Sequence, residues 1–180
     1  MLAGRHGTTV GLGLVTDGVS IVDWSRDGDT LRIHSRSEAD TEALGRALAA
    51  IIRPGVVIGM VGTLGAGKTR LARAIAEALG ADPGAIASPT FVLVHEYDAE
   101  IPIYHFDAYR LASPEQFEAL GTDEYFAGEG LCLVEWADLV ERCLPSDAWW
   151  IHLEVEGLER SIQLRLPLEV TKALETHLGA

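Results

Sequence analysis

Apolar positions along this chain follow two rhythms. Val56–Val61 and Leu131–Val134 are nearly continuous apolar runs of strand length, the pattern of strands covered on both faces. Helical patterns alternate with them. Ser37-x-x-Asp40 reads as a capping box, opening a helix that runs to about Ile52 before Arg53-Pro54-Gly55 breaks the chain. A second helix is expected from Lys68 to Leu79, with Gly80 as a left-handed cap. The β-rich runs Phe91–Tyr97 and Ile103–Tyr109, joined by a short acidic link, predict an antiparallel hairpin. Ser113-Pro114-Glu115-Gln116 combines a cap, a first-turn proline and a capping-box glutamine, which marks the start of a short helix. Leu31–His34, Trp149–Val155 and Ser161–Leu166 read as strands, the last two around a Gly157 turn. Leu168–Leu178 closes the chain as a helix.

This alternation predicts an α/β fold, a single domain with a mixed, mainly parallel central sheet flanked by helices, and the Gly62–Thr69 loop that follows the Val56–Val61 strand makes it a P-loop NTPase domain. Residues 30–180 carry that domain, and 180 residues suit one buried core better than two. Residues 1–29 read as an N-terminal extension. There the apolar runs Val10–Val15 and Val19–Trp24 flank Thr16-Asp17-Gly18, and Asp-Gly favours a hairpin turn. The extension is either a β-hairpin added to the domain or a loosely held segment. Val10–Val15 is interrupted by glycines and is far too short to span a bilayer. Cys132 and Cys143 make neither a disulfide framework nor a zinc cluster. A cytoplasmic protein with no membrane partner is the expectation.

The glycine-rich segment after Val61 carries the clearest chemistry. Gly62-Thr63-Leu64-Gly65-Ala66-Gly67-Lys68-Thr69 satisfies the Walker A pattern. Its glycines let the loop turn backbone amides inward, and those amides, with the positive end of the following helix, suit a β-phosphate. Lys68 reaches the β- and γ-phosphates, and Thr69 offers its hydroxyl to magnesium. Two carboxylates, Asp107 and Glu135, end apolar strands, and ligand sites of open α/β sheets lie beyond strand carboxyl ends. One can hold magnesium while the other orients the attacking water or shares the metal. ATP and Mg2+ are therefore the expected cofactors. A GTPase would need an Asn-Lys-x-Asp box, and the chain has no asparagine. A small-molecule kinase would bring an arginine-rich lid, whereas the arginines after the loop are scattered.

Beyond these single sites, a set of ordered motifs spans about Leu31 to Leu166. They are Glu38-x-x-Thr41-x-x-Leu44-Gly45, Gly62–Thr69, Ser88-Pro89-Thr90-Phe91, Glu96-Tyr97, His105-Phe106-Asp107-x-Tyr109-Arg110-Leu111 and Glu135-Trp136. In this order they resemble TsaE, the ATPase family of the bacterial machinery that makes threonylcarbamoyladenosine in tRNA. The resemblance implies that Lys68 and Thr69 bind phosphate and magnesium, and that Thr90 lies in a switch-like segment. It also implies that Asp107 and Glu135 serve metal binding and hydrolysis, that Trp136 sits beside the nucleotide, and that Glu38 to Thr41 approach the adenine. Arg160 is a further candidate for nucleotide contact. The family usually has Asp where this chain has Thr63, and often a second Thr where it has Arg70.

The function this implies is a slowly ATP-hydrolysing accessory protein whose hydrolysis resets a partner transferase between rounds of tRNA modification. TsaD-like and TsaB-like proteins are the implied partners. Charge bears on how tRNA is reached: 14 Lys and Arg face 27 Asp and Glu, a net of -13. Such a surface repels phosphate backbones, so tRNA contact is expected indirectly, through the complex. A small-molecule kinase and a nucleotide-dependent binding module are the alternatives.

Overall fold

The computed structural model describes residues 9–14, 21–86 and 93–179, with residues 9–14, 21 and 22 described by their backbone alone. The described strands are β1 (Thr9–Leu14), β2 (Ile21–Asp27), β3 (Thr30–Ser35), β4 (Val57–Gly62), β5 (Val94–Tyr97), β6 (Ile103–Asp107), β7 (Leu131–Glu135), β8 (Trp149–Glu156) and β9 (Glu159–Arg165). They form one sheet in the order β1-β2-β3-β9-β8-β4-β7-β6-β5. The helices are α1 (Glu38–Ala49), α2 (Lys68–Ala78), α3 (Pro114–Glu118), α4 (Thr122–Phe126) and α5 (Leu168–His177). The middle of the sheet, β8-β4-β7-β6, is parallel. The flanking pairings are antiparallel, so the α/β class with a mixed sheet is observed.

The apolar runs are continuous because alternate side chains feed two cores. On β4, Ile58 and Met60 enter one cluster and Val57 the other; on β7, Leu131 and Leu133 part from Cys132 and Val134 in the same way. The first cluster includes Leu44 and Leu48 of α1, Leu71 and Ile75 of α2, and Leu174 of α5. The second joins Phe106 of β6 to Phe117 of α3 and to Val140. Cys132 behaves as a small buried hydrophobe, and burial pushes its thiol up to about 12.

Local signals set the helix ends. Ser37 Oγ accepts from Asp40 N at 3.2 Å, and Asp40 Oδ2 accepts from Arg36 N at 2.8 Å, one residue before the usual capping-box partner. α1 ends at Ala49, and the amides of Ile51 and Ile52 return to Leu48 O to finish the turn. After α2, Gly80 at φ +91° and Ala81 bond back to Glu77 O and Ala76 O, a Schellman closure. Ser113 precedes α3 as expected but makes no side-chain cap bond, and Gln116 Oε1 accepts from Ala112 N, one residue before the usual capping-box partner.

Among residues 1–29, β1 pairs antiparallel with β2, and β2 with β3. Trp24 of β2 is buried in the first core cluster, so β2 continues the sheet without a break at residue 29. The Thr16-Asp17-Gly18 turn lies outside the described residues, as do Ser88-Pro89-Thr90-Phe91. Three short elements were not anticipated: α4, a 3-10 turn at Ala108–Arg110, and a 3-10 segment at Ala137–Cys143.

α1 and α2 approach most closely at Gly45, where a Cβ would lie 2.5 Å from the Ala74 Cβ and 3.2 Å from Ile75 N. Gly45→Val gains little helix propensity, because valine is itself a poor helix former. The side chain has to push two packed helices apart, at a cost of about 1–3 kcal/mol. Thermal unfolding is expected several degrees below the parent chain, and an unchanged melting temperature would show that the interface yields freely.

Candidate active site

β4 delivers the chain to the carboxyl end of the parallel strands, where Gly62 pairs with Leu153 of β8. A Cβ at Gly62 would stand 2.3 Å from Leu153 O, so no larger residue fits there. The loop then turns, and Gly67 at φ +109° caps α2. The first intrahelical bond is Leu71 N to Gly67 O, which leaves the amides of the preceding turn outside the helical ladder. Such an amide cluster at a helix N-terminus suits an anion.

Lys68 begins α2 and is 4% exposed. Its Nζ donates to Gly62 O at 2.6 Å and Thr63 O at 3.1 Å, and lies 3.7 Å from the centre of the Trp136 ring. Burial holds its ammonium below the ordinary lysine range, while Glu135, Asp107 and Asp138 pull it back up.

The two carboxylates stand side by side, because Asp107 and Glu135 are register partners across β6 and β7. Asp107 Oδ1 accepts from Tyr109 N at 2.9 Å, capping the 3-10 turn that follows. Glu135 is buried and holds a donor on each oxygen. His105 Nε2 lies 2.9 Å from Oε1, and Thr69 Oγ1 donates to Oε2 at 2.9 Å. Beyond Glu135 the chain turns sharply at Trp136, whose φ of +58° is the one positive φ of a non-glycine among the described residues. That turn lays the indole against Lys68, and Tyr109 packs on the same indole with ring centres 4.7 Å apart.

These groups converge on one cavity of about 320 Å³. Of the residues expected from the sequence, Glu38, Thr41, Leu64, Gly65, Gly67, Lys68, Thr69, Asp107, Glu135, Trp136 and Arg160 line it. Gly62 and Thr63 line a neighbouring concavity with Trp136, and Ala66 is buried beneath the loop. Thr90 lies outside the described residues. Thr41 and Arg160 are engaged as well: the Thr41 hydroxyl bonds Ser35 Oγ at 2.8 Å, and Arg160 Nη1 donates to Leu158 O at 2.7 Å.

Ser37, Arg70 and Tyr109 line the cavity as well, and His105 stands behind Glu135. Arg70 fills the position where the family often has Thr, and it reaches Glu38 at 2.9 Å and Glu42 at 2.7 Å, tying α2 to the start of α1. A period-2 reading of β6 would have found His105, since it shares a sheet face with Asp107.

The donors around the cavity are a lysine ammonium, an amide cluster, a hydroxyl and two carboxylates. That set can hold an oxyanion and, through oxygen ligands alone, a hard divalent cation.

Comparison with known proteins identifies the family. A sequence model described as "Threonylcarbamoyl adenosine biosynthesis protein TsaE" matches residues 35–162. The tRNA threonylcarbamoyladenosine biosynthesis protein TsaE of Bacillus subtilis is 44% identical over 119 residues, covering 66% of this chain and 73% of its own. Its counterpart in Treponema pallidum is 38% identical over 125 residues, covering 69% and 92%. The crystal structure of Bacillus subtilis YdiB superposes with a TM-score of 0.67 at 33% identity, over 88% of this chain and 97% of that one. The chain belongs to the TsaE family.

Proposed function

We propose that this chain binds ATP with magnesium in the 320 Å³ cavity and hydrolyses it slowly, as an accessory protein of the complex that forms threonylcarbamoyladenosine in tRNA. Hydrolysis resets the partner transferase between rounds, and the partners are proteins like TsaD and TsaB. One observation carries the reading. In a TsaE-family chain, Lys68, Thr69, Asp107 and Glu135 meet at a single cavity over a glycine loop.

The residues divide the work by chemistry. Amides of the loop and of the first turn of α2 hold the β-phosphate, and Lys68 exchanges its two loop carbonyls for phosphate oxygens. Thr69, Asp107 and Glu135 would hold magnesium, which draws charge from the phosphate oxygens. This set fits that ion, because magnesium takes a few protein oxygens and completes its shell with water and phosphate. Of the two carboxylates, the one less committed to the ion would orient the attacking water or share the metal. The start of α1, at Ser37, Glu38 and Thr41, brings polar groups to the same cavity for the base and ribose.

The acidic surface fits an accessory role, since at a net charge of -13 the partners supply most of the tRNA contact. Among the described residues no helix is long and apolar enough to cross a membrane.

Magnesium-dependent ATP turnover, measured alone and with the TsaD-like and TsaB-like partners and tRNA, tests the reading. The parent chain is expected to turn over slowly and to support repeated rounds of modification. Glu135→Ala is expected to bind ATP but to lose turnover by about a hundredfold or more, and to stall modification after the first round. Undiminished turnover in Glu135→Ala, or modification indifferent to ATP, would overturn it.

A further inference from the structure

We propose that His105 is a positioning residue for hydrolysis, holding the Glu135 carboxylate in its working orientation from behind. This rests on the proposed ATPase reading. The placement is deliberate in physical terms. His105 is 1% exposed on β6, its nearest polar neighbours being Glu135 on one ring nitrogen and Tyr97 on the other. A carboxylate only accepts hydrogen bonds, so the 2.9 Å contact to Glu135 Oε1 requires the proton on His105 Nε2. In the neutral imidazole that leaves Nδ1 as the acceptor facing the Tyr97 hydroxyl, at the longer distance of 3.4 Å.

The need for such a partner follows from the other oxygen. Glu135 Oε2 accepts from Thr69 Oγ1, and the proposed function engages that hydroxyl with the metal. The hydroxyl keeps its proton when a lone pair turns to the metal, but it has to re-aim, so the Oε2 bond is the one of the two that must shift on binding. The terminal torsion of a glutamate is broad and roughly two-fold, so one unrestrained carboxylate samples several planes. The His105 bond is made to the other oxygen, Oε1, and His105 does not line the cavity, so the proposed ligand does not compete for it. It therefore preserves the carboxylate plane through binding and turnover, as outer-shell partners of metal-site carboxylates do.

The test compares three substitutions in the full chain. Phenylalanine keeps the ring and removes the donor. Glutamine keeps an N–H within reach of Glu135 and an oxygen for Tyr97. The shorter amide of asparagine does not extend to Glu135. His105→Phe and His105→Asn are expected to lower kcat about 10–100-fold, leave KM for ATP unchanged and melt near the parent temperature, while His105→Gln recovers most of the rate. The inference falls if His105→Phe turns over like the parent, or if glutamine and asparagine variants that melt alike are equally slow. The second outcome would mean that the imidazole serves packing alone. Glu135→Ala in the same assay keeps the two readings apart. If it retains turnover, the role given to Glu135 fails; if it is inactive while His105→Phe is not, only the role of His105 fails.

Discussion

Lys68→Ala is expected to lose ATP binding and turnover while keeping its fold. The ammonium sits over its own loop, bonded to Gly62 O and Thr63 O beside the Trp136 ring. Phosphate oxygens replace those carbonyls with charge-assisted bonds, each contributing about 1.5–3 kcal/mol. Losing one such bond weakens affinity about 10–150-fold, and turnover falls further because the charge developing on the γ-phosphate is no longer met. Stability is predicted to move the other way. Burial lowers the Lys68 pKa even though three carboxylates pull it up, so in the folded chain the ammonium is held at a net cost. For a lysine lowered in this way, folding gains stability as pH rises, so removing the charge removes a penalty near neutrality. Titration with a fluorescent ATP analogue should show the lost affinity, and thermal unfolding of the same sample should show a melting temperature no lower than the parent's. Retained affinity would take Lys68 out of the phosphate site. A large fall in melting temperature would mean that its two loop bonds outweigh the desolvation.

How far the sequence anticipated this architecture depended on the length and period of each signal. Val57–Gly62 and Leu131–Glu135 were legible because a strand buried on both faces leaves an unbroken apolar run. The glycine loop was legible because its spacing is demanded by backbone geometry. Short elements were legible only where a local signal marked them, as Ser113-Pro114 marked α3. α4 has five residues and the 3-10 turn at Ala108–Arg110 three, too few to show a period. The 3-10 segment at Ala137–Cys143 follows from the left-handed turn at Trp136, a conformation that nothing in a tryptophan announces. The candidate site divided along the same line. Asp107 and Glu135 stood out as charges ending apolar strands, and the structure sets them in register. His105 and Tyr97 entered only as members of the ordered motifs, without a role, because a histidine inside an apolar strand looks like core until the neighbouring strand brings a carboxylate to it. Arg70 was visible as a departure, but its pairing with Glu38 and Glu42 needs the packing of α1 on α2.

Gly62→Ala is expected to damage fold and site together, because one atom cannot be placed without moving the strand that supports both. The added Cβ would lie 2.3 Å from Leu153 O, and that carbonyl belongs to β8, the register partner of β4 at this position. A backbone atom in the middle of a sheet cannot swing aside as a side chain would. Gly62 also holds a φ of +154°, which L side chains rarely adopt. Strain of this kind and local overpacking each cost about 1–3 kcal/mol, together about 2–6 kcal/mol. At roughly 2–4 °C per kcal/mol for a chain of this size, the melting temperature should drop by about 5–20 °C. The functional loss should persist at temperatures where the variant remains folded. Relieving the clash moves Gly62 O, the acceptor that holds Lys68 at 2.6 Å, and with it the loop that presents the amides. Gly65→Ala is the control. It too changes a positive-φ glycine of the loop, but its Cβ meets nothing within 4 Å, so its stability cost is limited to backbone strain of about 1–3 kcal/mol. If Gly62→Ala and Gly65→Ala melt at the same temperature, the close approach to β8 contributes nothing. If Gly62→Ala melts far lower and binds ATP poorly even when cold, the pairing of β4 with β8 sets the shape of the phosphate loop.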